Sequence, residues 1–432
     1  MFERFRFGNA VSSQSNTPVR PGAVGIAALY LAMLSLGMGQ TLIYTIIPVL
    51  GRELQLQELV LSLPFDLQWQ PRELIITSLS ALTAFIVAQT MPHWGRASDR
   101  RGRRYIIVLG LCGYVVGALV FAAAGWIGML GIVTGWSAYL ALVFGRVVHA
   151  LIMSAAQPAA MAYMVDTSTA RQRVRSLGRL NAATQAGVMT GPLLVSFAAF
   201  HLLLPLLVQV AMMLVALLLV WRCLPDSGVR HSEHTEPKRL RYLDPRYRYF
   251  VIASFCTFML MGVVMTTLAF YFQDLLQLTP AQAAQRFSVA IMFSSAAMMT
   301  AQLGLVRLVR SPITLILIGL PIVGCGYALI AAATGIRVLT LGMVCYGLGM
   351  GLATPAFGTG ASLTVTNDEQ GGLAGIMGSV AALGFLFGPL LGGYIYSLQH
   401  GAPYGLAATL IGALLIYLWR QRNAQALDRE AL

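Results

Sequence analysis

Arg146 and His149 stand in the middle of a long apolar stretch, three residues apart. That spacing puts them on neighbouring positions of one helix face. A charge at the centre of a membrane-spanning helix costs about 2.5–3.5 kcal/mol unless it is satisfied, so an ionisable residue there marks a path for a substrate or an ion. Arginine keeps its charge, while histidine changes charge near neutral pH. Together they can hold an anion and move a proton. Each also has a plainer reading: His149 as a neutral, hydrogen-bonded core residue, and Arg146 as a structural arginine bonded to backbone.

No Asp or Glu lies in the middle of an apolar run. The acids nearest to membrane depth, Glu73, Asp166 and Asp274, all fall near run ends. A cavity that contains Arg146 and no carboxylate favours an anionic or neutral amphipathic occupant. If His149 carries the proton, an anion beside Arg146 draws proton and substrate in the same direction. Movement in opposite directions suits an acid better, with Asp274 or Glu73 as the proton port. Gln40, Tyr44, Gln157, Gln185, Tyr346 and Thr354 are candidates for polar contacts in such a cavity, and hydrogen bonding between helices explains each equally well.

Between two apolar runs lies Gly95-Arg-Ala-Ser-Asp99-Arg100-Arg-Gly102-Arg103-Arg104. Glycine tolerates positive φ, so Gly102 permits a tight turn and Gly95 is expected to end the preceding helix. Asp99 sits among five arginines and is expected to be paired. This stretch resembles the signature loop of the major facilitator superfamily, between its second and third transmembrane helices, and every position of the pattern is filled. Leu142, Arg146 and His149 resemble the family's fourth-helix motif, whose arginine is linked to proton transfer; His149 stands where a glutamine is usual. The resemblance implies an all-α membrane protein of twelve transmembrane helices in two six-helix pseudo-repeats.

The elements that must position these residues are visible in the composition. The 432 residues are 57% hydrophobic and 10% charged, against about 25% charged for ordinary soluble domains. A span needs about 20 apolar residues, and the chain divides into twelve such runs. The expected organisation is a cytoplasmic tail (1–22), a six-helix bundle (23–222), a polar cytoplasmic linker (223–248), a second bundle (249–420) and a cytoplasmic tail (421–432). The net charge of +13 does not indicate nucleic acid, because the cations sit in short loops on one side. The opposite side holds Arg52, Arg72, Arg286 and Arg337. That bias puts both termini in the cytoplasm, in the inner membrane of the cell. The five cysteines have no paired spacing and read as packing thiols.

An internal repeat runs at an offset of 197 residues: Gly145 with Gly342, Pro158 with Pro355, Gly187 with Gly384, and Gly191-Pro192 with Gly388-Pro389. Gly187, Gly191 and Pro192 resemble the motif of the drug–proton antiporter branch. The glycine pair that follows in the motif is present in the second copy as Gly392-Gly393 but is Val195-Ser196 in the first. Small residues spaced by four allow close helix approach, and proline bends a helix.

The resemblance implies a secondary transporter, a proton-driven exporter of a small organic molecule such as a drug-like compound or a carboxylate siderophore. The same residues permit a proton-coupled importer of an organic anion, and a non-transporting sensor or scaffold is the third reading. A monomer in the lipid bilayer is expected, with a small-molecule substrate and no cofactor beyond the proton gradient. No nucleotide loop, metal-ligand cluster or nucleophile constellation supports an enzyme. A cytoplasmic gate is expected in which, when the cytoplasmic side is closed, Arg100, Arg103 or Arg104 pairs with Asp368 or Glu369 from the other half.

Overall fold

The computed structural model describes residues 21–62, 68–168, 173–226, 240–308, 311–366 and 369–430. The tail expected at 1–20, most of the linker and Asp368 lie outside them. Where water is absent, backbone groups must bond within their own segment, and a helix does so. The first half contains α1 (Ala23–Glu53), α2 (Glu73–Arg101), α3 (Arg103–Met129), α4 (Gly135–Met153), α5 (Ala156–Asp166), α6 (Arg173–Val195) and α7 (Leu204–Cys223). The second contains α8 (Arg248–Leu276), α9 (Pro280–Leu303), α10 (Pro312–Ala331), α11 (Ile336–Ser362), α12 (Gln370–Leu398) and α13 (Ala402–Glu430). Between α1 and α2, Leu61–Ser62 pairs antiparallel with Gln68–Trp69.

α4 and α5 are one expected span cut in two. Pro158 has no N–H to donate, and its ring crowds the carbonyl four residues earlier, at Ser154. The helix breaks between Met153 and Ala156. With α4 and α5 counted as one, ten of the twelve spans are long and apolar enough to cross a membrane on their own. The other two, α6 and α9, are of similar length but more polar. They pack against each other and each also packs on α1, so neither has to be apolar all round.

The repeat glycines sit at matching helix crossings. A Cβ at Gly145 would lie 2.8 Å from the Phe121 backbone of α3, and one at Gly342 would lie 2.9 Å from the Gly326 carbonyl of α10. A Cβ at Gly191 would lie 2.6 Å from the Met38 carbonyl of α1, and one at Gly388 would lie 2.4 Å from the Met259 carbonyl of α8. The crossings α3–α4 and α10–α11, and α1–α6 and α8–α12, are therefore counterparts.

Two boundaries differ from expectation. α2 runs through Gly95 to Arg101; a lone interior glycine costs only about 1 kcal/mol against alanine, and the residues after it form helix well. The turn comes at Gly102, whose φ of +99° requires glycine. α13 stays helical through Glu430, because the Gln, Ala, Leu and Arg after position 420 favour a helix over the expected polar tail.

Candidate functional site: a buried charged cavity and the clasp that closes one end

A cavity of about 210 Å³ opens between α1, α2, α3, α4, the start of α5 and α12. Its polar wall is Gln40, Tyr44, Thr83, Tyr114, Arg146, His149, Ser154 and Gln157, and no Asp or Glu lines it. Among the described residues, the second half contributes Ala382 and Phe385 to it. Phe385 stacks on Tyr44 across the divide, with ring centroids 6.0 Å apart.

Arg146 and His149 are both buried, at 2% and 6% exposure. Arg146 Nη1 lies 3.3 Å from His149 Nδ1, and the guanidinium rests 5.7 Å from the Phe121 ring centroid. Their counterion is not a carboxylate among the cavity's lining residues. Tyr114 meets the His149 ring edge-on at 4.8 Å, and its hydroxyl fits against Gly39, where a Cβ would lie 1.8 Å from it. Gln40, Tyr44 and Gln157 therefore line the same space as the charged pair. Gln185, Tyr346 and Thr354 do not. Tyr346 falls on the face of α11 shared with Gly342 and Gly349, which packs on α10, and its ring lies 5.5 Å from that of Tyr327.

The acids Glu73 and Asp274 come together at one end of the bundle, on Arg52, one of the few cations on that side. Arg52 Nη2 donates to Glu73 Oε1 at 3.0 Å and to Asp274 Oδ2 at 2.8 Å, and Nη1 reaches Asp274 Oδ1 and Gln273. The Tyr396 hydroxyl donates to Asp274 Oδ2 at 2.6 Å, and Arg52 lies over the Phe270 ring at 4.6 Å. This clasp ties α1 and α2 of the first half to α8 and α12 of the second. Beside it, Arg72 donates to the Ser397 carbonyl at 3.0 Å, and Gly393 presses on α2, where a Cβ would lie 2.1 Å from Thr77 Oγ1. A continuous buried cluster joins Leu42–Leu50 of α1 to Leu260–Phe272 of α8 at the same end. The signal that was available was one cation, Arg52, and two acids, Glu73 and Asp274, each near the end of an apolar run.

The opposite end is organised differently. Arg103 is buried, and it donates to Asp166 Oδ2 at 2.8 Å and to Ser98 Oγ at 2.6 Å, with Asp99 as a further partner. Arg104 donates to the Trp221 carbonyl. These contacts all stay inside the first half. Glu369 is held at 2.9 and 3.2 Å by Arg246, in the end of the linker that leads into α8. Among the described residues, Arg103, Arg104 and Glu369 bond to other partners, so the pairing expected for a closed cytoplasmic side is not formed in this arrangement. The two halves are drawn together at the Arg52 end instead, and each set of charges is satisfied locally. The Arg246 guanidinium, by direct hydrogen bonding, holds the carboxyls of both Glu369 and Asp244 below their usual range.

Twelve helical spans in two matched halves, around a buried charged cavity, are the architecture of a secondary transporter. The chain belongs to the major facilitator superfamily, which it matches over residues 29–381; it is an integral multi-pass membrane protein and a transporter, not an enzyme. It is 26% identical to Multidrug resistance protein 2 of Bacillus subtilis (strain 168) over 362 residues, covering 80% of this chain and 86% of that one. Among solved structures it resembles a D-xylose–proton symporter, with a TM-score of 0.70 at 15% identity, covering 92% of this chain and 97% of that one. The human organic anion transporter MFSD10 matches with a TM-score of 0.64 at 17% identity, covering 91% and 99%.

Proposed function

We propose that this protein is a proton-coupled exporter of small organic anions or neutral amphipathic molecules, of which drug-like acids and carboxylate siderophores are examples. The observation that carries this reading is the cavity itself: a buried arginine beside a histidine, apolar and aromatic walls, and no carboxylate lining it. An anion entering it supplies the countercharge for Arg146, and a lipophilic cation is repelled. Similarity to a multidrug resistance protein over most of both chains supports export. The excess of arginine at the end opposite Arg52 supports cytoplasmic termini in the inner membrane of a bacterium. In that frame the clasped end is the outer one, and the cavity serves the cytoplasm in this structure.

Coupling follows from the clasp. With the outer end open, Arg52 leaves, and Asp274 and Glu73 face water and can take a proton. Arg52 can reclaim them only as that proton departs. If it departs to the cytoplasm, one proton enters for each cargo released, which is antiport. Gly187, Gly191 and Pro192 in α6, and Gly384, Gly388 and Pro389 in α12, give the close-packed bent helices about which the halves rock.

The test is transport in proteoliposomes under an imposed pH gradient. Arg146→Ala is expected to lose transport of anions while still inserting. Asp274→Asn is expected to abolish pH-driven export and His149→Gln to keep it. The opposite pattern, with His149→Gln removing all pH dependence and Asp274→Asn silent, overturns the antiport scheme.

A further inference from the structure

A second cavity borders the Arg146–His149 pair, between α1, α3, α4 and α7. It measures about 10 Å³, the space of about one water molecule. Tyr114, Arg146, His149 and Gln209 supply its polar lining. Three of these residues carry a buried polar atom without a well-formed hydrogen bond among the described residues, Arg146 Nε, His149 Nε2 and Gln209 Oε1, and the Tyr114 hydroxyl lies beside the Gln209 amide. Buried polar atoms in native proteins are almost always bonded, to protein or to ordered water.

The donor and acceptor roles of these atoms are fixed by their other contacts. A guanidinium only donates, so His149 Nδ1, 3.3 Å from Arg146 Nη1, must accept. The neutral imidazole then bears its proton on Nε2, which becomes a donor. Gln209 is 1% exposed, and its Nε2 donates to the Ser35 carbonyl at 2.6 Å. That bond sets the amide the right way round and leaves Oε1 as an acceptor. The three atoms are thus two donors and one acceptor. A water molecule complements them by accepting from Arg146 and His149 and donating to Gln209, with its second O–H left for the Tyr114 hydroxyl.

We propose that this cavity is a built site for one structural water, held by Gln209, which fixes the position of Arg146 and the tautomer of His149. Gln209 is thereby a positioning residue of the charged pair. The water site stands on geometry alone; its bearing on coupling rests on the transport reading above.

The test is a structure of the full-length protein in lipid nanodiscs at water-resolving resolution, for the native chain and for Gln209→Met. It is joined to 15N spectra of imidazole-labelled protein, with His149→Gln giving the assignment. The native chain should show one water within hydrogen-bond distance of all three atoms, and His149 protonated on Nε2. Gln209→Met should lose that water and mix the His149 tautomers. Leu206→Met, on the same cavity wall, should change neither. A native cavity without ordered water overturns the proposal, and so does a Gln209→Met protein that keeps both the water and the native His149 spectrum. Should Gln209→Met fail to fold, the native density decides alone. Neither readout involves substrate or direction, so failure here leaves the exporter reading standing.

Discussion

Arg52 at the end of α1 and Asp274 at the end of α8 bind each other from counterpart helices of the two halves, Nη2 to Oδ2 at 2.8 Å. Both are largely shielded, with side chains 9% and 22% exposed. Exposed ion pairs contribute about 0–1 kcal/mol; removing one partner of a shielded pair costs more, because the other charge is left behind. Asp274→Asn should therefore shift the two-state ratio toward the form open at the Arg52 end by about tenfold, which corresponds to about 1.4 kcal/mol. Distances between spin labels placed on either side of the clasp would report it. An unchanged distribution would mean that the apolar cluster, not the clasp, keeps that end shut.

Gly393 and Gly388 separate two kinds of close packing. Gly388 lies against Met259 of α8, inside the second half, and Gly393 lies against Thr77 of α2, across the divide. Gly388→Val should lower the thermal stability of the second half. Gly393→Val should leave stability near native yet prevent closure at the Arg52 end, lowering turnover at least tenfold. Thermal unfolding and transport measured on both variants separate these outcomes; equal loss of stability in the two would remove the distinction.

Arg103 and Asp166 tie the α2–α3 turn to the end of α5 in a dry setting, with side chains 7% and 3% exposed. Asp166→Asn leaves Arg103 short of charge and should destabilise the first half by about 3–5 kcal/mol. Thermal unfolding in detergent would show this as a clear drop in midpoint. A midpoint within a degree or two of native would mean that Asp99 and Ser98 suffice. The basic loop thus acts, in this structure, as an internal brace of one half.

The pair Arg246–Glu369 sets a pH window. Hydrogen bonding from Arg246 lowers the Glu369 carboxyl, and Asp244 likewise. A depressed carboxyl contributes its stability fully above the unfolded value, near 4.3 for Glu, and loses it as pH falls through the lower folded value. The separation of labels at the exposed positions Leu243 and Leu363 should stay constant above the ordinary carboxylate range and spread only as pH falls through the lowered carboxyl values. Glu369→Gln should spread it at every pH. A transition near neutrality would contradict this and would make the pair part of the coupling apparatus.

The spans, the turn at Gly102 and the burial of Arg146 beside His149 were legible because each is a local property: a run length, a residue that tolerates positive φ, a charge in an apolar run. The repeat was legible because glycines at helix crossings have no substitute. The role of Arg52 was not, because it depends on α2, α8 and α12 arriving at one point, and no spacing along the chain encodes that. Tyr346 misled for a related reason. It is polar and within a span, and only the packing of α11 on α10 shows which way it faces. Gln209 carried no signal at all, since one glutamine in α7 is meaningful only once the Ser35 carbonyl stands beside it.

The wall of the cavity comes almost wholly from the first half, with Ala382 and Phe385 as the second half's share. Cargo held by that wall travels with one half and keeps most of its contacts whichever way the mouth faces. A ligand bound equally well in two states cannot bias the choice between them, however tightly it binds. The cargo is then a passenger, and the energy that drives the stroke must enter elsewhere, at charges that change partners when the halves rock.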